Sequence, residues 1–134
     1  MAIRIPRTDY DPETGLATLK QAESRQTTIV GFVAATKNVL LGEDGMIFVS
    51  KGYVYDYGSG PAINNPSMVY ASLIHDAFYD LLNEGELPWS QRKRADKLFR
   101  DMLLEAGSHP FRAAYAYAAV RLFGRGYASS KAKV

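Results

Sequence analysis

The sequence predicts an α+β domain in which a small antiparallel β element packs against three helices, the first two of them antiparallel. Three observations support this prediction. Strand-like residues come before residue 57, apolar residues at helical spacing come after residue 65, and glycine and proline separate the two kinds of segment. A chain of 134 residues with 47% hydrophobic side chains suits a single globular domain.

The composition excludes several classes of protein. The chain has no cysteine, which rules out a disulfide framework, a thiolate metal site and a cysteine nucleophile. No apolar run approaches the roughly 20 residues of a membrane span, so no transmembrane segment is expected. The basic start of the chain is not followed by an apolar stretch, so no signal peptide is expected.

The charge is distributed unevenly. Residues 1–89 hold 6 basic and 11 acidic side chains, whereas residues 90–134 hold 10 and 3. A basic half favours nucleic acid, an anionic membrane surface or an acidic partner, but it also fits solvated helix faces followed by a basic tail.

Three segments are expected along the chain. Residues 1–26 are polar and irregular and predict an N-terminal arm, in which residues 16–26 are compatible with a short helix. Residues 27–124 are expected to form the globular domain. Residues 125–134 are small and basic and predict a disordered tail.

The β element is expected between residues 27 and 56. The β-branched run 27–33 predicts a strand. Residues 42–45 predict a tight turn, and residues 46–56 predict one strand, or two strands with a break at Gly52. The turn and its flanks therefore predict a hairpin.

The first helix has the clearest sequence signal. Asn65 is a favourable cap and Pro66 suits the first helical position, so the helix should run from Pro66 to about Asn83. Its wide apolar stripe places it at the centre of the core. The stripe consists of Val69, Leu73, Ile74, Ala77, Phe78, Leu81 and Leu82.

Two further helices are predicted. Ser90 is expected to cap the second, over residues 91–106, and Gly107 to end it. His109 is expected to act as a local cap for the third, over residues 110–123. The side chains predicted to face inward are Ala95, Leu98, Phe99, Met102 and Leu103 on the second helix and Phe111, Ala114, Tyr115, Ala118 and Leu122 on the third. The basic face predicted for the second helix consists of Arg92, Lys93, Arg94, Lys97 and Arg100.

The first two helices carry the candidate catalytic residues. His75 and Tyr79 are four residues apart and share a helix face, and Asp96 follows the inward-facing Ala95 on the neighbouring helix. Asp96 can therefore reach His75, fix its tautomer and stabilise the imidazolium that forms on proton abstraction. The alternative is a satisfied core histidine with Tyr79 as a packing residue.

A cation site is expected beside this pair. Asp76 could bind a hard cation together with backbone carbonyls of the glycine-rich loop at Gly58 and Gly60. The cofactor implied by such ligands is calcium, which could polarise an ester or phosphoryl oxygen. Asp80 is expected to be solvated.

Four ordered motifs resemble a family of short, uncharacterised phage and prophage proteins that share a domain of unknown function. The resemblance covers residues 45–124. Its loop motif places functional residues at Asp56, Ser59 and Pro61. The motifs are Asp56-Tyr57-Gly58-Ser59-Gly60-Pro61, His75-Asp76-Ala77-Phe78-Tyr79, Ala95-Asp96, and Ala116-Tyr117-Ala118-Ala119-Val120-Arg121-Leu122-Phe123-Gly124.

A second resemblance is to secreted phospholipases A2. These proteins carry a glycine-rich calcium loop, a helix with His-Asp-x-x-Tyr, and an antiparallel helix whose aspartate pairs with the histidine. The resemblance implies that His75 activates water, that Asp76 binds calcium and that Asp96 orients His75. The chain departs from that family because it has no cysteine, whereas the phospholipases are disulfide-bonded.

These observations lead to three functional hypotheses. The first is a phage or prophage hydrolase that acts on a lipid ester in the host cytoplasm or in the virion. The second is a non-enzymatic virion or host-interaction protein, in which residues 1–26 and 125–134 contact other virion proteins. The third is nucleic-acid binding through the basic helix and tail.

Overall fold

The described part of the chain consists of two small sheets and three α-helices. The computed structural model describes residues 6–56 and 66–132, and within them seven strands precede three α-helices. The first two helices pack against each other, so the predicted α+β class and this helix pairing are confirmed. Among the described residues, no helix has the length and apolar character that crossing a bilayer requires.

All the strand pairs are antiparallel. One sheet has the order β1-β2-β7 and the other has the order β3-β6-β5-β4. The strands are β1 (Thr8–Tyr10), β2 (Leu16–Leu19), β3 (Glu23–Gln26), β4 (Ala34–Ala35), β5 (Val39–Leu41), β6 (Met46–Val49) and β7 (Val54–Asp56).

The predicted hairpin is confirmed as the pair β5 and β6. Residues 42–45 connect these two strands, and Leu41 is paired with Ile47. Gly45 has a φ of 88°, and a Cβ atom there would collide with the backbone oxygen of Thr27. The predicted break at Gly52 is also present, because this residue has a φ of 96° and separates β6 from β7.

The N-terminal segment differs from the expected arm. The helix predicted over residues 16–26 is wrong, because β2 and β3 lie there. Strand β2 pairs with β7 and β3 pairs with β6, so this segment is part of both sheets. Both strands are short and β3 is polar, and their pairing with β7 and β6 depends on segments that are distant in the sequence. Docking of residues 1–26 on a partner stays a prediction.

The strand predicted over residues 27–33 is also wrong. The Thr27 hydroxyl accepts a hydrogen bond from the backbone nitrogen of Ile29 at 3.2 Å, and Gly31 has a φ of 86°. This local turn chemistry competes with a regular strand. Ile29 is nevertheless fully buried, so the apolar run contributes to the core without forming a strand.

The first helix, α1 (Pro66–Asn83), has the predicted bounds. Every residue of its predicted apolar stripe is buried, so this prediction is confirmed. The helix contacts the other two helices and strands β5, β6 and β7. It therefore lies between the sheets and the other helices.

The second helix, α2 (Arg92–Glu105), is preceded by a 3-10 turn at Trp89–Gln91. The predicted Ser90 cap is wrong, because Gln91 is the N-cap and makes no side-chain capping bond. The inward face is confirmed: Ala95, Phe99, Met102 and Leu103 are buried and Leu98 is partly buried. Gly107, with a φ of 91°, ends the helix as expected.

The third helix, α3 (Pro110–Ala132), is longer than predicted and presents a different face to the core. It continues beyond residue 123, so the predicted stop and the disordered tail are wrong up to Ala132. His109 caps its start, as expected, by accepting a bond from the backbone nitrogen of Phe111 at 3.1 Å.

The predicted inward face of α3 is wrong. The buried side chains are Ala113 and Ala116, whereas Phe111, Tyr115 and Leu122 are exposed. Small alanines allow α3 to approach α1 and α2 closely, and polar contacts at its far end hold this orientation. The periodicity of the sequence pointed to the face with the larger side chains, whereas the structure packs the face that carries small alanines.

Candidate functional site

The candidate site lies where α1 and α2 pack against each other. His75 on α1 places its Nε2 atom 2.7 Å from Oδ1 of Asp96 on α2. His75 is only 8% exposed and Asp96 is fully buried. The structure therefore brings together the histidine and the carboxylate that the sequence paired.

Tyr79, the third predicted catalytic residue, binds the same oxygen of Asp96. The Tyr79 hydroxyl donates a hydrogen bond to Oδ1 of Asp96 at 2.7 Å. The rings of His75 and Tyr79 are 4.3 Å apart, and the ring of Phe99 lies 4.8 Å from His75 on the opposite helix. The imidazole is thus held by one hydrogen bond and two aromatic neighbours.

Two arginines complete the cluster. Arg121 of α3 donates to Oδ2 of Asp96 at 2.8 Å, and Nε of Arg92 lies 3.8 Å from the same oxygen. Arg92 donates from Nε to the Tyr79 hydroxyl at 3.1 Å and from Nη2 to the backbone oxygens of Val120 and Arg121 at 2.8 and 2.9 Å. Asp96 of α2 is therefore the common hydrogen-bond partner of side chains from α1 and α3, with Arg92 as a further nearby cation.

The sequence interpretation missed both arginines. It placed Arg92 on the outer basic face of α2, which is wrong because Arg92 is buried. The available signal was its position four residues before Asp96, a spacing at which oppositely charged side chains meet on a helix. Arg121 lies in the motif over residues 116–124, but the motif gave it no role, because its contact with Asp96 depends on how α3 packs.

Gly124 permits the close approach of α3 to this cluster. A Cβ atom at position 124 would lie 2.5 Å from the Tyr79 hydroxyl oxygen and 3.1 Å from its ring. The sequence interpretation read this glycine as a helix stop. Its place in the structure is instead inside α3, where the missing side chain makes room for Tyr79.

The electrostatics of the cluster favour an ionised Asp96. Burial alone would raise the pKa of this carboxyl, but the hydrogen bond and charge of His75 and the hydrogen bonds from Tyr79 and Arg121 outweigh it and lower the pKa. Burial and the hydrogen bond to Asp96 raise the pKa of Tyr79, so this phenol stays protonated.

The ionised carboxylate fixes the tautomer of His75. A carboxylate oxygen accepts hydrogen bonds only, so Nε2 of His75 must carry the hydrogen that it shares with Asp96. In the neutral ring, Nδ1 then carries the free lone pair. The arrangement can chemically act as a general base at Nδ1, with Asp96 stabilising the protonated ring.

A family model described as protein of unknown function DUF1353 matches residues 35–120. The chain belongs to the DUF1353 family. The matched residues contain His75, Tyr79, Arg92 and Asp96, so most of the cluster falls within the domain, whereas Arg121 follows its last matched residue. No match was found among curated proteins or among solved structures.

The other predicted site residues of this DUF1353 chain have separate positions. Asp76 is half-buried and makes an interaction of its own. Asp80 is not simply solvated, because it accepts a hydrogen bond from the Tyr53 hydroxyl at 2.5 Å and so ties α1 to the segment before β7. Asp56 is the last residue of β7. The predicted loop residues Gly58, Ser59, Gly60 and Pro61 lie outside the described residues.

Two grooves of the DUF1353 chain are lined by residues of other regions. One, of about 330 Å³, is lined by residues of the second sheet and the turns beside it, including Leu40 and Phe48. The other, of about 580 Å³, lies between β3 and α2 and is lined by Arg25, Arg94 and Lys97 as well as by two acidic residues. Neither of these grooves includes a residue of the Asp96 cluster.

Proposed function

We propose that this DUF1353 protein is a hydrolase of phage or prophage origin that uses His75 as a general base on an ester bond, with a phospholipid-like ester as substrate. The observation that carries the proposal is the buried contact of 2.7 Å between Nε2 of His75 and Oδ1 of Asp96. The motif resemblance to phage proteins and to phospholipases A2 supports the same conclusion.

The reaction follows from the tautomer of His75. Its Nδ1 takes a proton from a water molecule, and the water oxygen bonds to the ester carbonyl carbon. The tetrahedral intermediate then collapses, the carbon–oxygen bond to the alcohol breaks, and the imidazolium returns the proton to the leaving oxygen. Asp96 stays ionised throughout and stabilises the imidazolium. Tyr79 and Arg121 hold Asp96 in place.

We also propose calcium as a cofactor at Asp76. Among the described residues, no group of three or more His, Cys, Asp or Glu side chains is placed to hold a metal ion. A calcium site at Asp76 would therefore take most of its oxygens from water and from backbone carbonyls such as those of Gly58 and Gly60. When bound, the ion would stabilise negative charge on the ester oxygen.

Hydrolysis of a phospholipid and of an aryl ester tests the proposal, with and without calcium. The chain offers a matched control, because its two histidines have different places: His75 in the cluster and His109 at the start of α3. His75→Gln should lose activity by about 10²- to 10⁴-fold, whereas His109→Gln should keep it. Equal activity of the two variants, or no activity of the native chain, contradicts the proposal.

Thermal unfolding tests calcium separately. Calcium should raise the midpoint of the native chain and should not raise that of Asp76→Asn, because only a ligand that binds the folded state stabilises it. Asp101→Asn, on the exposed face of α2, serves as the charge-matched control. An equal rise of the unfolding midpoint in all three proteins would show that Asp76 is not the ligand. No rise in any of them would contradict calcium binding.

The second candidate is a non-enzymatic virion or host-interaction protein with a structural cluster. The observation that favours it is the burial of Asp96 together with hydrogen bonds from three side chains to its two oxygens. This candidate predicts that the native chain has no hydrolytic activity and that His75→Gln changes only its stability. Nucleic-acid binding has less support, since Arg92 faces inward and Arg100 lies over the ring of Tyr117 at 5.2 Å.

A further inference from the structure

The groove between β3 and α2 has a volume of about 580 Å³, which is within the range of about 300–1,000 Å³ that small-molecule sites occupy. One wall consists of residues 25–28, at the end of β3. The residues of α2 that form the other wall recur at helical spacing and therefore share one face of the helix. They are Arg94, Lys97, Leu98, Asp101 and Glu105.

Both carboxylates of the groove already have cationic partners. Glu105 accepts two hydrogen bonds from Arg25, at 2.6 and 2.8 Å. Oδ1 of Asp101 lies 3.2 Å from Nη2 of Arg100. Arg25 also donates from Nε to the backbone oxygen of Gln26 at 3.1 Å, so its guanidinium is fixed in the wall. The negative charge of the groove is therefore balanced by these two arginines.

Two cations of the groove have no such partner. Arg94 and Lys97 are exposed, and among the described residues neither side chain takes part in a hydrogen bond or an ion pair. They are three residues apart on α2, so their like charges are neighbours and repel each other. An anion between them would remove this repulsion. The exposed Thr28 lines the same groove and adds a hydroxyl donor.

The rest of the groove indicates what kind of anion it accepts. Leu98 is the only apolar side chain among the described residues that line it, so the groove offers little surface to an acyl chain. An extended acidic peptide would add a strand to β3, which pairs with β6 alone. Two carbonyls of β3 are already occupied. Ser24 accepts a bond from the Tyr70 hydroxyl at 2.7 Å, and Gln26 accepts the bond from Nε of Arg25. A small anion therefore fits better than a lipid or a peptide strand.

We propose that this groove binds a small phosphorylated molecule, whose phosphate group lies between Arg94 and Lys97. A phosphate monoester carries a charge of about −1.5 to −2 at pH 7 and three acceptor oxygens. The guanidinium of Arg94 can bind two of these oxygens at once, and Lys97 adds a second positive charge. The site shares no residue with the Asp96 cluster, so binding does not require hydrolytic activity.

The test is a titration of the full ¹⁵N-labelled chain with inorganic pyrophosphate, followed by NMR of the backbone amides at constant ionic strength. The shifts should saturate and should be largest at Thr28, Arg94 and Lys97. The double variant with Arg94→Gln and Lys97→Gln should bind pyrophosphate at least about tenfold more weakly. Because both positions are exposed, its thermal midpoint should be close to the native value.

A second double variant, with Lys51→Gln and Lys93→Gln, is the matched control. It removes the same charge from two exposed positions that do not line the groove. Its dissociation constant should stay within about twofold of the native value, because solvent and salt screen charges outside the site. This control separates a localised site from a general effect of net charge.

Glu105→Gln should strengthen binding. The substitution removes a negative charge from the groove and frees the guanidinium of Arg25 from its carboxylate. Pyrophosphate should therefore bind at least about threefold more tightly than it binds the native chain. A partly unfolded variant would not show such a gain.

Any of four results would contradict the proposal. The first is the absence of saturable shifts in the native chain. The second is an equal loss of affinity in the two double variants, and the third is no gain in Glu105→Gln. The fourth is tighter binding to a single-stranded oligonucleotide of about 12 nucleotides than to pyrophosphate. If the variant with Arg94→Gln and Lys97→Gln also abolished that binding, the groove would be part of a nucleic-acid surface.

Discussion

Helix α2 carries two carboxylates that form ion pairs on opposite sides of the helix. The two ion pairs differ in burial and in the number of their partners. Asp96, on the inner side, is fully buried and meets His75, Tyr79, Arg92 and Arg121. Glu105, on the outer side, is half-exposed and forms a two-point contact with Arg25 of β3, at 2.6 and 2.8 Å. The carboxylate of the outer pair is open to solvent, whereas that of the inner cluster has no exposed surface.

The comparison shows what burial does to a carboxylate. At Glu105 the hydrogen bonds from one guanidinium are the largest effect and lower the pKa, against the opposing effect of burial. Asp96 must first overcome a larger burial effect and does so only with several donors. Removing one partner should therefore lower the free energy of unfolding only slightly at the Glu105–Arg25 pair and strongly at the Asp96 cluster.

The largest effect is expected for Asp96→Asn. The substitution leaves the buried Arg92 and the partly buried Arg121 without their carboxylate, so the free energy of unfolding should fall by about 3–5 kcal/mol. Urea unfolding followed by circular dichroism measures the change. Asp101→Asn, an exposed position on the same helix, should cost less than about 0.5 kcal/mol. A loss below about 1 kcal/mol at Asp96 would show that the cluster is not a coupled unit.

Asp96 and Glu105 should contribute differently to the loss of stability at low pH. A carboxyl whose folded pKa is lowered contributes stability that is complete above its unfolded pKa of about 4 and is lost as the pH falls through its folded pKa. The unfolding free energy of the native chain should therefore fall below about pH 4. Asp96→Asn should flatten this fall more than Glu105→Gln does. Equal acid slopes for the native chain and Asp96→Asn would contradict this expectation.

A smaller effect is expected where α3 approaches the inner cluster. Gly124→Ala should destabilise the chain by about 1–3 kcal/mol, because the new methyl group meets the Tyr79 hydroxyl, although alanine favours a helix over glycine. The cost should shrink in a Tyr79→Phe background, which removes the nearest atom. A double-mutant cycle in urea measures this coupling, and additive losses would argue against the close approach.

The smallest effect is expected at the outer pair. Glu105→Gln should cost about 0.2–1 kcal/mol at low salt and less at high salt, because an exposed ion pair is screened. Measuring the unfolding free energy at two salt concentrations tests both statements. A loss as large as that of Asp96→Asn would mean that exposure does not separate the two pairs.

The sequence predicted those parts of the fold whose signals are local. The sequence of α1 offers a candidate cap, a proline and a wide stripe within one segment, and the bounds and buried face of the helix are confirmed. Strands β2 and β3 are short and pair with β7 and β6, which are distant in the sequence, so no local pattern showed these pairings. For α3, the sequence predicted the face with the larger side chains, whereas the packing against α1 and α2 uses the face with small residues.

The candidate site divides in the same way. His75 and Asp96 could be paired because each sits on a strongly periodic helix and a short connection makes these helices neighbours. The contact of Arg121 with Asp96 could not be predicted from the sequence, since it depends on the orientation of α3. The inward position of Arg92 could have been predicted, because a cation four residues before a buried aspartate is a local signal.

The link between Arg121 and Asp96 has a consequence for synthesis of the chain. These residues are 25 positions apart, and Arg121 lies on α3, which leaves the ribosome after α1 and α2. Until then, Asp96 lacks its closest guanidinium and its burial between α1 and α2 remains unfavourable. We therefore expect the nascent chain to hold its two earlier helices loosely and to consolidate only when α3 emerges, so that folding of the helical half is a late, single event.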